Sequence, residues 1–268
     1  MDELIFADQH GNLTFRWAHF LAGVIWIGIL YFFNWINGAF TATLDAETKR
    51  KVVPELMPRA LFWFRWGAAW TWFTGVVLMF TMYYISDMGY FLAEPNLDSP
   101  KPTPGQWGPP FAIVLIGFAV YDNLFKLVGS KSAGAHTACV LIWGAIAVAF
   151  YHFGCSELGM SNRAGLVHVA AMFGTAMAAN VWMRIWPAQQ RIITAIKNGE
   201  APDPADPALA GTRSKHNTYM SVPLLFLMVS VNQTKAHSLD ALGLALVLGA
   251  GWVVTYALYK KSAKVQGF

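Results

Sequence analysis

The chain has 268 residues, of which 56% are hydrophobic and 13% charged, and it carries a formal net charge of +4. Soluble domains carry about a quarter charged residues, so this balance excludes an ordinary soluble globule and points to lipid. The two cysteines, Cys139 and Cys155, have neither CxxC nor CxxCH spacing, which excludes a covalently attached haem c and argues against a zinc site.

Residues 1–12 (MDELIFADQHGN) are acidic and lack a basic segment and a small-residue cleavage site, so no cleavable signal peptide is expected. A first apolar run covers 13–37 and holds His19. Its length exceeds the ~20 residues a helix needs to cross the hydrocarbon core. The second run, 60–85, carries Arg65 near its inner end and a stripe of small residues, Gly67, Thr71 and Gly75, read as a packing face. Snorkelling explains Arg65; an anionic group is its other reading. The third, 109–129, has Asp122 and Lys126 at helical spacing, read as a self-neutralising pair. The fourth, 133–153, ends at His152, and the fifth, 161–186, begins close to His168. The sixth, 217–234, is interrupted by Pro223 and is the least apolar; the seventh covers 241–259. The stretches 38–59, 86–108 and 187–216 are read as loops, none long enough for a soluble domain. The runs are apolar all round instead of alternating, which favours helices over barrel strands. The expectation is one all-α integral membrane domain over 1–268, a bundle of about seven transmembrane helices.

Lys and Arg set the orientation. Arg16, Lys101, Arg163 and Lys235 fall on the face holding the N-terminus, and fourteen others on the opposite face. The N-terminus is therefore expected outside and the C-terminus in the cytoplasm of a bacterial inner membrane. Asp2, Glu3, Asp8, Asp87, Glu94, Asp98, Glu157 and Asp240 make the outer face acidic, fit to steer a basic partner. The Pro-rich stretch 94–110 is a candidate docking loop there, or a rigid connector. No nucleic-acid partner is expected.

Counted by depth, His19, His168 and His152 all fall about two turns below the outer surface. Two neutral imidazoles at equal depth are what a six-coordinate haem b needs. Ala18, Ala22 and Gly23 beside His19, and Gly165, Ala171 and Gly174 beside His168, leave room for a flat macrocycle. His19 and His168 are the candidate iron ligands, with His152 as substitute; helix packing and cross-bundle hydrogen bonding are the plainer account of the same residues.

On the cytoplasmic side, RIWPAQQR (184–191) and RSKHNTYMSVP (213–223) hold the densest polar sequence. Arg184, Gln189, Arg213, His216, Asn217 and Tyr219 are the candidate binders of a small anion, at what is read as the N-terminal mouth of the sixth helix. Lipid head groups are the rival occupant for the basic residues.

HFLAGVIWIGILYFFNWING, PRALFWFRWGAAWTWFTGVVL, NVWMRIWPAQQRII and RSKHNTYMSVPLLFLM together resemble the membrane domain of the cytochrome-c-linked urate hydroxylases. That resemblance implies oxidation of urate to 5-hydroxyisourate, with electrons passing to a cytochrome c domain that follows the membrane region. This sequence has no CxxCH motif, so a separate cytochrome c at the outer face is expected to take the electrons. The alternative is a non-catalytic accessory or assembly subunit of a respiratory complex. A transporter is a weaker third reading, since no inverted repeat is visible.

Overall fold

The computed structural model describes residues 9–86, 89–95, 101–233 and 238–265. Asp2, Glu3, Asp8, Asp87, Asp98 and Lys235 lie outside the described residues, as do 96–100 of the Pro-rich stretch. The described residues form helices α1 (Gln9–Tyr31), α2 (Gly38–Ala42), α3 (Ala46–Met79), α4 (Pro104–Leu124), α5 (Ala133–Ser156), α6 (Asn162–Asn180), α7 (Trp186–Asn198), α8 (Ala205–Ser230) and α9 (Ala241–Ser262). No strand occurs among them, only an isolated bridge between Leu92 and Met160. Four π-helical turns, Phe32–Asn37, Phe80–Tyr84, Phe125–Gly129 and Val181–Ile185, come directly after α1, α3, α4 and α6.

Among the described residues, five stretches are long and apolar enough to cross a membrane: Asn12–Ala42, Pro104–Gly129, Ala133–Ser156, Asn162–Asn198 and Ala241–Ser262. Helices α3 and α8 have the length as well, at 34 and 26 residues, but polar and charged residues are scattered along both.

Two expected loops are largely helical. Asp45 caps α3, its carboxylate accepting from the Thr48 amide at 2.9 Å and the Thr48 hydroxyl at 2.7 Å. These bonds hold the Asp45 carboxyl below its ordinary range. Val53, Met57, Leu61, Phe64 and Ala68 then form one buried stripe at helical spacing, which carries the helix through Pro54 and Pro58. In the other, α7 ends on Gly199, whose positive φ of 78° suits a residue without a Cβ.

Helix α8 starts at Ala205, well before the expected sixth run. Arg213–Tyr219 therefore lie inside a helix whose backbone N–H groups are spent on its own ladder, so they do not form an N-terminal anion mouth. Of the expected Asp122–Lys126 pair, Asp122 is buried and Lys126 is exposed within the π turn Phe125–Gly129. The C-terminal half of the Pro-rich stretch is the first part of α4, capped reciprocally by Thr103 and Gln106.

The chain divides into two compact units, each built from separate stretches. Unit 1 comprises Met1–Arg16, Thr74–Ala176 and Pro223–Gly251; unit 2 comprises Trp17–Phe73, Met177–Val222 and Trp252–Phe268. The core of unit 1 is the α6 segment, where Ala164, Leu166, His168, Val169, Ala170, Met172, Phe173 and Ala176 are all buried. In unit 2, α1 and α3 cross closely. A Cβ added at Gly67 would lie 3.1–3.3 Å from the backbone and Cβ of Trp26, so the small-residue stripe is a packing face there.

Candidate functional site

A closed set of amides and hydroxyls sits inside unit 2. The Asn34 amide, in the π turn after α1, donates to the Leu30 carbonyl and to Ser214 Oγ, both at 2.8 Å. Its carbonyl accepts from the Tyr259 hydroxyl at 2.8 Å, so both ends of this side chain are used. One turn earlier Tyr31 and Ser221 share a hydroxyl bond of 3.0 Å, and Ser221 Oγ also donates to the Thr218 carbonyl. Beside them Asn180 donates to Asn217 Oδ1 at 2.9 Å, while the Asn217 amide donates to the Met177 carbonyl at 2.9 Å. Helix α8 organises all of this because Ser214, Asn217, Thr218 and Ser221 recur at helical spacing on its inward side.

Aromatic rings bound the network. Trp35 stacks on Tyr31 with centroids 4.1 Å apart, and Tyr219 stacks on Tyr259 at 5.9 Å. Lys215 Nζ lies 5.6 Å above the Tyr259 ring. Polar side chains inside an apolar bundle are costly and mark functional sites by default, and π turns recur at such sites. What this arrangement holds chemically is a set of amide and hydroxyl groups, bonded to one another, beside flat rings.

Of the expected anion binders, Asn217 belongs to this network and Tyr219 stands at its rim. Arg213 and His216 are buried on α8 with Asn217. Arg184 is half-buried and donates to the Met183 carbonyl, and Gln189 is half-buried on α7. Tyr31, Asn34, Asn180, Ser214, Ser221 and Tyr259 were not foreseen. The signal was present in FFNWING and AANVWMR, where an amide interrupts an apolar run.

The histidines are less alike than their depths imply. His168, in unit 1, has no exposed surface. Its Nδ1 faces the Ala164 carbonyl at 2.7 Å, so that nitrogen carries the hydrogen, and Nε2 accepts from the Tyr84 hydroxyl at 2.8 Å. Tyr83, Phe91 and Phe150 close the ring in, with centroids 5.8–6.5 Å away. His152, also in unit 1, is exposed on α5. His19, in unit 2, is half-buried and hydrogen bonds to the Thr71 backbone. The donor set as it stands does not fit a haem at His168: the nitrogen that would meet iron is taken by Tyr84, and the rings leave no face for a macrocycle.

The family described as urate oxidase N-terminal has a model that matches residues 44–267. The chain belongs to the urate oxidase N-terminal family. The match takes in Arg65, His168, Asn180, Asn217 and Tyr259, while His19, Tyr31 and Asn34 precede it. Neither the curated proteins nor the solved structures return a match.

Proposed function

We propose that this member of the urate oxidase N-terminal family is a membrane oxidoreductase of the urate-hydroxylase type, binding an anionic purine in the amide network of unit 2. The Asn180–Asn217 pair carries the reading. Two buried amides in van der Waals surroundings, tied to each other instead of to solvent, can turn the same donors and acceptors onto the alternating N–H and C=O edge of an oxidised purine. Such a site rejects analogues lacking that edge, because its own polar groups would then stand unpaired. Tyr31, Trp35 and Tyr259 supply flat surfaces beside it.

The reaction is urate plus water giving 5-hydroxyisourate, two electrons and two protons. The electrons pass singly to an acceptor of the cytochrome c class at the outer face. The residues named here bind and orient the purine and keep bulk water from it; no step is routed through a haem b between His19 and His168. The orientation in a bacterial inner membrane is N-terminus outward, with α3 and α8 completing seven spans.

The test is urate binding by the purified protein in neutral-lipid nanodiscs, then anaerobic reduction of added ferric cytochrome c. Asn217→Leu and Asn180→Leu should each weaken urate binding at least tenfold with the helical fold intact. Wild-type protein that neither binds urate nor reduces the cytochrome would overturn the assignment and favour an accessory subunit.

A further inference from the structure

Arg65 lies in the second apolar run, and the amide network does not use it. Its guanidinium sits 4.0 Å from the Trp186 ring centroid, 5.7 Å from Trp182 and 5.9 Å from Phe62, all within unit 2. The Trp182 indole N–H is committed to the Arg65 carbonyl at 3.0 Å, which fixes that indole against the helix carrying the charge. Trp66 packs edge-on against Trp182 at 5.6 Å. Among the described residues no carboxylate pairs with Arg65, and its buried Nε has no hydrogen-bond acceptor.

These observations belong together. Aromatic faces orient a guanidinium and satisfy its flat surface, but they leave its charge and its in-plane N–H fork without a partner. A cation in an apolar segment is expensive unless something neutralises it, and a rigid planar fork is the geometry that carboxylates, phosphates and enolates take up in two bonds. Lysine would not stack in this way, so the cage is built for arginine. The π turn Val181–Ile185 sets the Trp182 end of the cage and comes directly after Asn180 of the amide pair.

The geometry points to Arg65 as an oxyanion-binding site, held ready by Trp186, Trp182 and Phe62. The ligand is a planar or tetrahedral oxyanion at the inner side of the membrane, supplied by a free solute such as the urate anion or by a lipid phosphate. The site extends beyond the purine reading of unit 2, since it needs only the anion's charge and not the amide network.

The experiment uses the whole chain in nanodiscs, with two probes read in parallel. Radiolabelled urate is tracked by equilibrium dialysis in nanodiscs of phosphatidylcholine alone, and retained phosphatidylglycerol is counted by native mass spectrometry after mixed-lipid reconstitution. Arg65→Gln should weaken one of the two at least tenfold. Arg65→Lys should recover only part of it, and Trp186→Leu, which leaves the charge untouched, should weaken it several-fold by freeing the guanidinium. Size-exclusion and circular dichroism profiles matching wild type establish folding; if Arg65→Gln fails there, Arg65→Lys and Trp186→Leu still decide. A loss of urate alone assigns the site to the solute. Phosphatidylglycerol lost from the variant, with no urate bound by wild type, keeps the oxyanion site and overturns the purine reading instead. Both probes within twofold of wild type in every folded variant, or neither probe held by wild type, overturns the proposal.

Discussion

Deleting one oxygen atom from unit 1, in the variant Tyr84→Phe, tests how the buried histidine is held. His168 Nδ1 must donate to the Ala164 carbonyl, because a carbonyl can only accept, and Nε2 is then a bare lone pair facing the Tyr84 hydroxyl at 2.8 Å. Phenylalanine keeps the ring and its stack on Trp107, whose centroid is 4.9 Å away, so little packing is lost. The lone pair, however, is left with no donor and no route to water. Leaving a buried acceptor unpaired costs about 1–3 kcal/mol, whereas interhelical hydrogen bonds measured in membrane proteins average about 0.6 and reach about 1.7 kcal/mol. A fully buried ring with its other nitrogen already fixed belongs at the upper end of the second range, so about 1–1.7 kcal/mol is expected. In the double variant Tyr84→Phe with His168→Leu both partners are apolar, and in the His168→Leu background the Tyr84→Phe change should cost nothing or stabilise, since the hydroxyl there has lost its acceptor. Reversible unfolding in mixed micelles under a denaturing-detergent titration gives all four corners of the cycle. A Tyr84→Phe protein within about 0.3 kcal/mol of wild type would refute the reasoning, as would a coupling of zero.

Gly67→Ala should destabilise by about 1–3 kcal/mol through overpacking, since its Cβ would lie 3.1 Å from the Trp26 backbone nitrogen. Gly28→Ala, with nothing within 4 Å of its Cβ, should be neutral or slightly stabilising by the same detergent titration. Asp206 accepts from Arg191 at 2.5–3.0 Å, which holds its carboxyl below the usual range. The pair's stabilisation is therefore complete above the unfolded Asp value of about 3.9 and is lost as pH falls through the lower folded value. The melting temperature of wild type minus that of Asp206→Asn, measured from neutral pH down to about 3, should shrink as acid is added; a constant difference would contradict the linkage.

Much of the fold was legible because apolar length is a strong signal. Four of the five membrane-length stretches begin close to the start of an apolar run read from sequence, and the Gly67 stripe packs where small residues predict contact. What was misread lay where charge and helix coexist. Segments 38–59 and 187–216 look like loops because Lys, Arg, Asp and Pro interrupt them, yet the Asp45 cap and the buried stripe of Val53, Met57 and Leu61 are enough to keep the first of them helical. The site was partly visible for a related reason. The dense polar run at 213–223 makes Arg213, His216 and Asn217 visible, whereas Asn34 and Asn180 stand singly in apolar runs, although their amides must also be satisfied away from water. Depth along a helix placed three histidines together; only rotation about the helix axis separates a buried His168 from an exposed His152, and an all-round apolar run does not encode that angle.

The π turns carry a consequence for how this chain tolerates change in length. A π turn is an α-helix holding one residue more than its pitch accommodates, so each takes up that residue between the segments on its two sides. Taking a single residue out of Phe80–Tyr84 would let the ladder return to α spacing while the chain on its two sides keeps nearly the same phase, because only the surplus residue is lost. The aim of Tyr84 at His168, set inside the turn, would change with no other residue altered. Within Val181–Ile185 the same excision would re-aim Trp182 while Trp186 keeps its phase relative to Asn180, and so disturb one wall of the cage around Arg65. In these two places a one-residue deletion is not a rotated helix but a locally repaired one, and it would read out as lost aim inside the turn before it read out as lost stability.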